Sequence, residues 1–501
     1  MRWLVRIGVA VVIVALGAFF ACQLLPERLA VNAPITNSLF GWSGAPPQAD
    51  ALGTRIRAAD GYAVSLYAEV PKARFLRPTA EGDLLVSVPR EGSIVRLRRD
   101  ANGDGLPDGQ ETLLAGLDKP HGMELHEGLL YIGEGSAVAR VRYDGASGTT
   151  TGAVERIVTG LPAGGNHWTR TVRVGPDGRL YVTVGSSCNV CIEQDERRAA
   201  MLRFRLDGGE PEVYARGLRN AVGFDWQPAT GELYATDNGR DLLGDDEPPC
   251  ELNRVVAGGD YGWPVANGDR RLDPDFGAGN EARAAESLPP AHGFGPHNAP
   301  LGIVFLRSAR QPETFRGRAL VALHGSWNRT RKDGYKVVSL AFGPDGAIRE
   351  EDFLSGFLLD EDVIGRPVDV AEAADGTIFV SDDYAGAIYR VATSTAAGTA
   401  LAPAAPREER ADPLAALDAG AREAGRARGE RHWEALACSG CHVAEAAAPG
   451  VVPVALRDLS QRHDVDGLVA FLAAPTPPMP AVSLDEASRR DLAIYLLSRF
   501  P

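Results

Sequence analysis

Cysteine and methionine are scarce in this chain, whose 501 residues include six cysteines and four methionines. So few cysteines exclude a disulfide-rich fold, because such folds are small secreted domains that use many bridges in place of a core. Basic residues are outnumbered by acidic ones, which leaves a net charge of −14. A chain this acidic repels phosphate backbones, and we expect no nucleic-acid partner. The hydrophobic fraction of 45% is ordinary, so a large packed core is expected.

The N-terminus has the pattern of an export signal. Two arginines precede an apolar run from Ile7 to Leu25, which is long enough to span hydrocarbon as a helix. We expect residues 1–27 to form an uncleaved transmembrane signal-anchor. The positive-inside tendency then places the rest of the chain on the periplasmic side of the inner membrane. Lipidation of Cys22 is an alternative, since the residues before it partly match a lipoprotein signal.

One phrase, a glycine followed after one residue by a short apolar run, occurs six times between residues 50 and 395. The copies begin at Gly82, Gly128, Gly178, Gly231, Gly317 and Gly376. A second short strand with an apolar–Arg–apolar step follows most of them, at Arg96, Arg140, Arg203, Arg254 and Arg390. The spacing of about fifty residues leaves room for four strands in each repeat.

These repeats predict an all-β domain over residues 50–395, a six-bladed β-propeller. Ordinary hairpins in a β-sandwich are the alternative, but six ordered copies favour the propeller. We interpret the longer gap at residues 264–316 as an insertion on one face. Propeller ligands lie where loops of several blades converge, so functional residues should be scattered along the sequence.

The composition changes after the last repeat. Residues 396–412 are rich in Ala, Thr, Ser and Pro, which is typical of a linker. Residues 413–501 are helix-compatible and contain CSGCH, in which Cys438 and Cys441 have the spacing for covalent haem attachment and His442 for the proximal iron ligand. A disulfide or a zinc site is the alternative, but zinc needs further ligands, and only His432 and His463 are near.

Met479 is the only methionine after residue 201, which makes it the candidate for the second axial haem ligand. The closing segment has helical periodicity and resembles the terminal helix of small class I c-type cytochromes. We therefore expect residues 413–501 to form a small all-α cytochrome c domain that binds haem c and carries single electrons.

Residues 55–395 contain a series of motifs around the repeats: KPHGM, GGNHWTRTV, ARGLRNAVGF, TDNGRD, CELNRVVAGGDYGWP, HGSWNR and IGRPVDV. With these motifs the segment resembles the glucose/sorbosone dehydrogenase family, six-bladed propellers that use pyrroloquinoline quinone (PQQ) with calcium, and looks most similar to its L-sorbosone dehydrogenase-like branch. The resemblance implies a quinone contacted by His121, Asn166, Arg219, Asn220, Trp327, Arg329 and Arg366. Lys336 is a candidate for the family lysine, and Val368 stands where glucose-oxidising members have a second arginine.

The resemblance also implies calcium at the main-chain carbonyls of Gly239 and Arg240, and a second calcium site at Glu251 and Tyr261. In the expected reaction, neutral His167 takes the proton of a substrate hydroxyl while hydride passes to the quinone, and Arg219 stabilises the developing charge. Calcium would polarise the accepting carbonyl. His292, His297 and His324 are interpreted as loop or substrate-lining residues.

Two further motifs stand outside that set. The acidic segment from residue 100 to residue 111 has oxygen ligands at the positions of a twelve-residue calcium loop: Asp100, Asn102, Asp104, Asp108 and Glu111. A solvated acidic turn is the alternative. Cys188 and Cys191 form a second C-x-x-C, for which a short disulfide is the expectation because no haem-binding His follows. Cys250 has no obvious partner.

Together these expectations describe a membrane-anchored quinohaemoprotein dehydrogenase that oxidises a sugar, a sugar aldehyde or a related polyol. Electrons would leave through the haem to a downstream cytochrome or oxidase. A non-catalytic propeller that serves as a binding or scaffold module for a cytochrome is the alternative. A calcium-dependent lactonase-type hydrolase is a weaker one, since it leaves the cytochrome without a role.

Overall fold

The computed structural model describes residues 30–32, 47, 49–393, 412–443, 456, 459–473, 475, 479 and 483–500. The chain divides into two compact units, Met1–Leu401 and Ala402–Pro501. The predicted signal-anchor, residues 1–27 with Cys22, lies outside the described residues, as does the predicted linker apart from Asp412. Within the described ranges, no helix is both long and apolar enough to cross a membrane.

The first unit is a six-bladed β-propeller, which confirms the predicted architecture. A 3-10 turn at Ala49–Ala51 precedes two strands, β1 (Arg57–Ala58) and β2 (Tyr62–Glu69). The first three blades are the sheets β3–β6, β7–β10 and β11–β14. Their strands are β3 (Leu76–Pro78), β4 (Leu84–Val88), β5 (Ser93–Arg98), β6 (Gly109–Leu114), β7 (Met123–His126), β8 (Leu129–Gly133), β9 (Val138–Asp144), β10 (Thr149–Val158), β11 (Val172–Val174), β12 (Leu180–Val184), β13 (Ala200–Phe204) and β14 (Glu212–Arg216).

The remaining blades depart from the simple repeat in two ways. The connection between the last two strands of blade four contains small elements of its own, and the fourth strand of blade six is β2, from the start of the propeller. Blade four contains β15 (Ala221–Trp226), β16 (Leu233–Asp237), β17 (Pro249–Val255) and β21 (His292–Pro296), and between the last two lie β18 (Gly259–Asp260), β19 (Ala266–Asn267), β20 (Arg271–Leu272) and α1 (Glu281–Glu286). Blade five contains β22 (Pro300–Phe305), β23 (Ala319–Leu323), β24 (Lys336–Phe342) and β25 (Ile348–Ser355). After the hairpin β26 (Leu358–Leu359) and β27 (Asp362–Val363), blade six contains β28 (Pro367–Glu372), β29 (Ile378–Asp382) and β30 (Ala387–Thr393).

The repeated phrase of the sequence is the second strand of each blade. β4, β8, β12, β16, β23 and β29 each begin two residues, or one in β8, after the repeat glycine. These glycines have positive φ, for example 71° at Gly128 and 70° at Gly178. Only glycine adopts this conformation without strain, so the tight turn between the first two strands requires it. The second strands are almost entirely buried because blades pack on both of their faces.

The N-terminal strand closes the ring. β2 pairs antiparallel with β30, so the fourth strand of blade six comes from the start of the propeller and the other three from its end. The register runs from Tyr62 opposite Thr393 to Glu69 opposite Ala387. β1 adds a fifth strand to blade five through β25. The sequence analysis did not predict this closure, since no local pattern distinguishes an outer strand of one blade from another.

The predicted insertion is shorter than residues 264–316. The extra elements lie between β18 and β21, and the rest of that range supplies the outer strand of blade four and the inner strand of blade five. The gap looked longer because blade four receives its fourth strand only after α1. Arg240 fixes this connection by a buried ion pair with Asp273, 2.7 Å, and a second with Asp275, 2.9 Å.

The inner strands of the blades line the central channel. A chain of ion pairs lies in the channel, formed by residues in these strands and just beyond them. We call this chain of ion pairs the channel floor; its members are Arg77, Glu124, Arg173, Asp225 and Arg307. The first four lie on four successive inner strands, opposite Leu85, Tyr131, Tyr181 and Tyr234 of the second strands. They therefore occupy equivalent positions in blades one to four.

The second unit is helical. Its helices are α2 (Ala419–Ala435), α3 (Ser439–His442), α4 (Leu459–Arg462), α5 (Val465–Ala473) and α6 (Glu486–Arg499). Asp418 and Asp485 cap α2 and α6 by accepting hydrogen bonds from main-chain N–H groups. α2 and α6 touch at Gly429, where a Cβ atom would overlap the Asp491 carbonyl oxygen. A hydrophobic core that includes Trp433, Leu468 and Leu492 forms between α2, α5 and α6.

Candidate active site

The loops that precede the inner strands and follow the second strands meet at one end of the channel, which we call the mouth. They surround a cavity of about 660 Å³. Its lining residues come from five blades and from the segment that follows β2: Lys72, Arg74, Pro89, Arg90, Lys119, Trp168, His324, Arg366, Asp383 and Tyr384. The convergence expected of a propeller ligand site is therefore present.

The cavity is strongly cationic although the chain as a whole is acidic. Five basic side chains line it against a single carboxylate, Asp383. Asp383 binds Arg74 at 2.7 Å and His324 at 2.9 Å. Burial favours the neutral acid, but His324 and Arg74 outweigh it and hold the pKa of Asp383 well below its usual range. In the described part of the chain, Lys72 and Lys119 have no acidic ion-pair partner, so the cavity attracts anions.

His167 precedes β11 and is held from the loop after β12. Its Nδ1 lies 3.0 Å from the carbonyl oxygen of Ser186 and 2.9 Å from Ser186 Oγ. A carbonyl only accepts hydrogen bonds, so Nδ1 carries the proton and Nε2 carries the lone pair. Burial, and then the positive charge of Arg219, lower the pKa of His167 to about 3. The imidazole is therefore neutral at physiological pH and can act as a base.

Arg219 is buried and its guanidinium is held on several sides. Nε donates to the carbonyl oxygen of Asn189 at 2.9 Å, one terminal nitrogen donates to Asn238 at 3.0 Å, and the other donates to Asn189 Oδ1 at 2.8 Å. Asp241 provides the counter-charge at 3.2 Å. The guanidinium is thus a fixed positive charge close enough to depress the pKa of His167.

Several buried polar atoms near this end of the channel have no hydrogen-bond partner among the described residues. They include Nε2 of His121 and Oδ1 of Asn220. Gly185 lies between His167 and Asn220, and a Cβ atom there would stand 2.6 Å from His167 Cβ and 2.8 Å from Asn220 Oδ1. Buried polar groups without partners are costly, so these atoms indicate a site built for a polar ligand.

A pair of buried carboxylates lies beside the predicted calcium carbonyls. Asp237 on β16 is the direct cross-strand partner of Glu251 on β17, and Gly239 follows two residues later. Burial raises the pKa of Glu251 to about 7. Burial and the charge of Glu251 raise the pKa of Asp237 well above its usual range. Two adjacent acids that repel each other in this way are the donor set that a hard divalent cation prefers.

The side chains of two predicted calcium residues are directed elsewhere. The Tyr261 hydroxyl donates to the Arg254 carbonyl at 2.6 Å and accepts from Val256 N–H at 3.0 Å. The Arg240 guanidinium is held by Asp273 and Asp275. For both residues only main-chain oxygen suits a cation, which for Arg240 is what the sequence analysis expected.

Several predicted quinone contacts are not in the cavity lining. Lys336 is directed to the blade surface, where it pairs with Asp352 at 2.6 Å, because it stands in the third strand of blade five and its partner in the fourth. The guanidinium of Arg329 holds loop carbonyls, including Pro296 at 3.4 Å. Trp327 is half-buried and accepts a main-chain hydrogen bond from Asn32. Asn166 is exposed. Arg366 does line the cavity and donates to the His324 carbonyl at 3.1 Å.

The other histidines divide as follows. His324 lines the cavity, and burial followed by the charge of Arg366 lowers its pKa to about 4. His297 is buried against the Gly244 carbonyl at 2.8 Å. His292 pairs with Glu350 at 2.9 Å on the outer strands.

The side chains of the acidic loop accept hydrogen bonds from the main chain of the loop itself. Asp100, Asn102 and Asp104 accept hydrogen bonds from N–H groups within the loop, and Asp108 accepts one from Ala101. Glu111 belongs to β6 and pairs with Arg96 across the sheet at 2.8 Å. Four of the five predicted ligands therefore share the loop, and a calcium ion there stays a prediction.

Cys188 and Cys191 are joined by a disulfide bond. Cys250 is a buried free thiol, and burial raises its pKa to about 11, so it is an unreactive core residue.

The sequence analysis missed several residues of the mouth. Lys72, Arg90 and Lys119 stand in the loops at blade ends, as do Trp168 and Asp383. Asn189 and Ser186, which hold Arg219 and His167, were also missed. The signal that could have found them is their position, because each follows a second strand or precedes an inner strand of the repeat.

In the helical unit, Cys438 and Met479 pack against the same hydrophobic core. Cys438 and Cys441 are free thiols. His442 lies with its ring centroid 6.0 Å from that of Trp433, which belongs to this core. Three of the four residues predicted to bind haem thus lie close together: Cys438 and Met479 pack against one apolar cluster, and His442 lies beside Trp433 of that cluster.

Comparisons with known proteins agree with the propeller. A pyrroloquinoline quinone-dependent pyranose dehydrogenase of Coprinopsis cinerea is 28% identical over 386 residues, which cover 62% of this chain and 50% of that protein. An uncharacterised protein of Borreliella burgdorferi is 36% identical over 231 residues, 45% of this chain and 60% of that protein. The chain therefore spans only about half the length of these curated relatives.

Solved structures show the same fold. The holo pyranose dehydrogenase PQQ domain from Coprinopsis cinerea superposes with a TM-score of 0.56 at 23% identity, covering 67% of this chain and 96% of that one. The calcium structure of a Trichoderma reesei carbohydrate-active enzyme of family AA12 gives a TM-score of 0.58 at 23% identity, covering 68% and 97%.

The family model named Glucose / Sorbosone dehydrogenase matches residues 130–390. That range runs from blade two to the last strand of blade six and holds five of the ten residues that line the cavity. Since it covers more than half of the chain, the protein belongs to the glucose/sorbosone dehydrogenase family.

Proposed function

We propose that the propeller is a PQQ-dependent dehydrogenase of a sugar, a sugar aldehyde such as sorbosone, or a related polyol. The observation that carries this proposal is the mouth, where five basic side chains face one carboxylate in a chain of net charge −14. PQQ is a tricarboxylate, and guanidinium and ammonium groups are the side chains that bind carboxylates. The similarity to a PQQ-dependent pyranose dehydrogenase supports the same cofactor.

The residues present fit this group. Arg366, Arg74 and Lys72 supply positive charge within the cavity. Asn220 and His121 contribute buried polar atoms that lack protein partners among the described residues. When bound, PQQ supplies an electrophilic carbonyl that accepts hydride. Val368, which stands where glucose-oxidising members have a second arginine, is buried against Val222 and Leu301, and Lys72 and Lys119 of the cavity would supply positive charge in its place.

His167 is the proposed catalytic base. Its Nδ1 proton is held by Ser186, so Nε2 is the atom that takes the proton of a substrate hydroxyl. Arg219 cannot reorient, because Asn189, Asn238 and Asp241 hold it, and its charge stabilises negative charge that develops beside His167. The low pKa of His167 keeps the base neutral throughout the physiological range.

Calcium would be held by the main-chain carbonyls of Gly239 and Arg240, with the carboxylates of Asp237 and Glu251 nearby. The ion would supply Lewis-acid polarisation. The raised pKa values of both carboxyls support a cation here, because a divalent charge relieves the repulsion that now favours their neutral forms.

The helical unit would bind haem c through thioether bonds to Cys438 and Cys441, with His442 and Met479 as axial ligands. Haem supplies one-electron transfer. The shared apolar cluster of Cys438 and Met479 supports this, since a haem needs a hydrophobic pocket. We further propose an anchor at residues 1–27, a periplasmic location, and a downstream cytochrome or oxidase as electron acceptor.

Reconstitution of the full chain tests the enzyme activity. The protein is incubated with PQQ and CaCl2, mixed with a panel of aldoses, sugar aldehydes and polyols, and the absorbance of reduced c-type haem is recorded. Reduction with at least one substrate, dependent on PQQ, is expected. If PQQ binds and no substrate reduces the haem, or if PQQ does not bind, the scaffold interpretation is favoured.

Haem attachment has its own test. After denaturing electrophoresis, the wild type should retain covalent haem and Cys438→Ala/Cys441→Ala should not. Cys250→Ala is the matched control, since this cysteine is a buried free thiol of the propeller, and it should retain haem. A wild type without covalent haem would overturn the cytochrome assignment and leave the propeller proposal standing.

A further inference from the structure

The loop between β12 and β13 holds both proposed catalytic side chains. We define the disulfide loop as residues 186–193, which begin directly after β12 and Gly185 and include the Cys188–Cys191 bond. His167 is bound by Ser186 at its start and Arg219 by Asn189 near its centre. His167 precedes β11 and Arg219 precedes β15, so the loop bridges two blades.

The contact to His167 fixes a tautomer. The Ser186 hydroxyl donates to the carbonyl oxygen of Cys188 at 2.8 Å, so its oxygen can only accept from His167. Both Ser186 atoms near Nδ1 therefore accept, and the imidazole proton stays on Nδ1. The orientation of the Ser186 hydroxyl depends in turn on where the disulfide places Cys188.

The contact to Arg219 is bidentate. Asn189 accepts from Nε through its main-chain oxygen and from a terminal nitrogen through Oδ1. The same side chain accepts from Asp241 N–H at 2.9 Å and donates to the Asp241 carbonyl at 3.1 Å. Asn189 thus sets the position of the cation and of its counter-ion together.

The disulfide loop is short and is constrained by two cross-links, the disulfide bond and a hydrogen-bonded contact between Ser187 and Glu193. The disulfide bond closes four residues, and the Glu193 carboxylate accepts from Ser187, with the hydroxyl at 2.9 Å. Both thiols are used in the bond, so the neighbouring Cys188, Cys191 and Glu193 offer no thiolate for a metal. A closed loop loses little conformational freedom when it positions a side chain, which is what orientation of a catalytic group requires.

We propose that the disulfide loop is the positioning element of the active site, with Ser186 and Asn189 as positioning residues for His167 and Arg219. The inference rests on the proposed function for its effect on turnover. The geometry itself can be measured in the protein without quinone. Opening the bond should therefore change the state of both side chains before any substrate is added.

The experiment uses the full-length protein labelled with 15N-histidine and 15N-arginine and free of PQQ. Cys188→Ser/Cys191→Ser, Asn189→Ala and the control Asn280→Ala are compared with the wild type. Asn280 is exposed, and its side chain donates to the nearby Phe276 carbonyl. His167→Gln and Arg219→Lys spectra assign the two signals. Thermal unfolding verifies that each variant is folded.

In the wild type we expect the Nδ1–H tautomer of His167 and slow exchange of the Arg219 Nε proton. The double cysteine variant should show both tautomers, and Asn189→Ala should speed the Arg219 exchange at least tenfold. After PQQ loading, kcat should fall roughly 10- to 100-fold in both with little change in KM. If a cysteine variant does not fold, the wild type before and after reduction by dithiothreitol supplies the same comparison.

Unchanged tautomer and unchanged Arg219 exchange in both variants would overturn the proposal, whatever the activity. A wild type with no sugar oxidation would instead overturn the proposed function, because the spectra of the quinone-free protein still decide whether the loop positions the two groups.

Discussion

The two ends of the propeller channel carry similar numbers of charged side chains but differ in how these charges are paired. At the floor, Arg173 lies 2.9 Å from Glu124 and 3.2 Å from Asp225, and Asp225 lies 2.8 Å from Arg307. Each of these buried charges has a partner. At the mouth, the lysines at residues 72 and 119 have no acidic ion-pair partner in the described ranges.

The difference indicates what each end does. Partnered buried charges fix the arrangement of neighbouring blades, since removing one leaves the other without compensation. Unpartnered cations contribute nothing of this kind and repel each other. Burial, and then the charge of Arg90, lower the pKa of Lys72, as repulsion between neighbouring cations requires. Such an arrangement is retained where a ligand supplies the missing negative charge.

The largest expected effect is at the mouth, on catalysis. His167→Gln should lower kcat by about 10²- to 10⁴-fold, because a general base contributes that much. The fold should be unaffected. The matched control is His126→Gln, at the other end of an inner strand, which should keep wild-type turnover. Steady-state kinetics of the reconstituted protein measure both. Near wild-type kcat for His167→Gln would remove this residue from the mechanism.

The next effect is at the floor, on stability. Glu124→Leu leaves Arg77 and Arg173 without this carboxylate and should lower the free energy of unfolding by about 3–5 kcal/mol. Glu155→Leu is the control, since its ion pair with Arg140 is largely exposed, and it should cost less than about 1 kcal/mol. Urea unfolding compares the two. Equal losses would mean that the floor is no more structural than the surface.

The stability of the protein should depend on pH through Asp369, a buried acid on the inner strand of blade six that forms no ion pair among the described residues. Burial raises the pKa of Asp369 to about 7, although its carboxylate accepts from Leu76 N–H at 2.8 Å. Between its ordinary pKa and about 7 the folded state binds the proton and the unfolded state does not, so stability falls as pH rises through that window. Each tenfold difference in proton affinity is worth about 1.4 kcal/mol, which makes the contribution on the order of 4 kcal/mol.

Asp369→Asn keeps an acceptor for Leu76 and removes the titration. Unfolding free energies measured from pH 4 to pH 8 should decline less steeply in this variant than in the wild type. Parallel profiles would show that Asp369 keeps its ordinary pKa and that Arg173 compensates its charge.

The smallest effect on stability is expected from the mouth lysines. Lys72→Met should leave the free energy of unfolding within about 1 kcal/mol of the wild type or raise it, because it relieves repulsion by Arg90. PQQ affinity should fall severalfold. Lys336→Met is the control, since this lysine pairs with Asp352 at the blade surface and should not change the affinity. The reverse result, with Lys336 and not Lys72 affecting PQQ, would contradict the assignment of the cavity. Equilibrium titration of quinone fluorescence measures both.

Much of the fold was predictable because the repeat is local. Each repeat combines a positive-φ glycine, a short apolar strand and a following strand that usually has a central arginine. These features lie in one stretch of sequence, and six such stretches define the six blades. Blade five lacks the arginine in β24, and its glycine alone identified it. The insertion was overestimated because β21 has a glycine- and proline-rich sequence that does not resemble a strand.

The candidate site was predictable only in part. His167, Arg219 and Arg366 could be found from the family resemblance, and all three lie around the mouth. Lys336 could not be placed, since whether a strand residue faces the channel or the surface depends on its rank within the blade. Lys72, Asp383 and Asn189 belong to no motif, and only their position at the ends of blade strands marks them, which many other loop residues share.

The sequence by itself determined the number of blades, the short C-x-x-C pair and the CSGCH motif, all of which depend on residues close together in the chain. Only the tertiary structure decided which charges are partnered. The strand β2 pairs with β30 and closes the ring, which brings Lys72 and Arg74 beside His324 and Asp383, about 250 to 300 residues away. Ring closure joins loops whose order in the chain says nothing about their neighbours, so the electrostatics of the mouth exist only in the closed propeller.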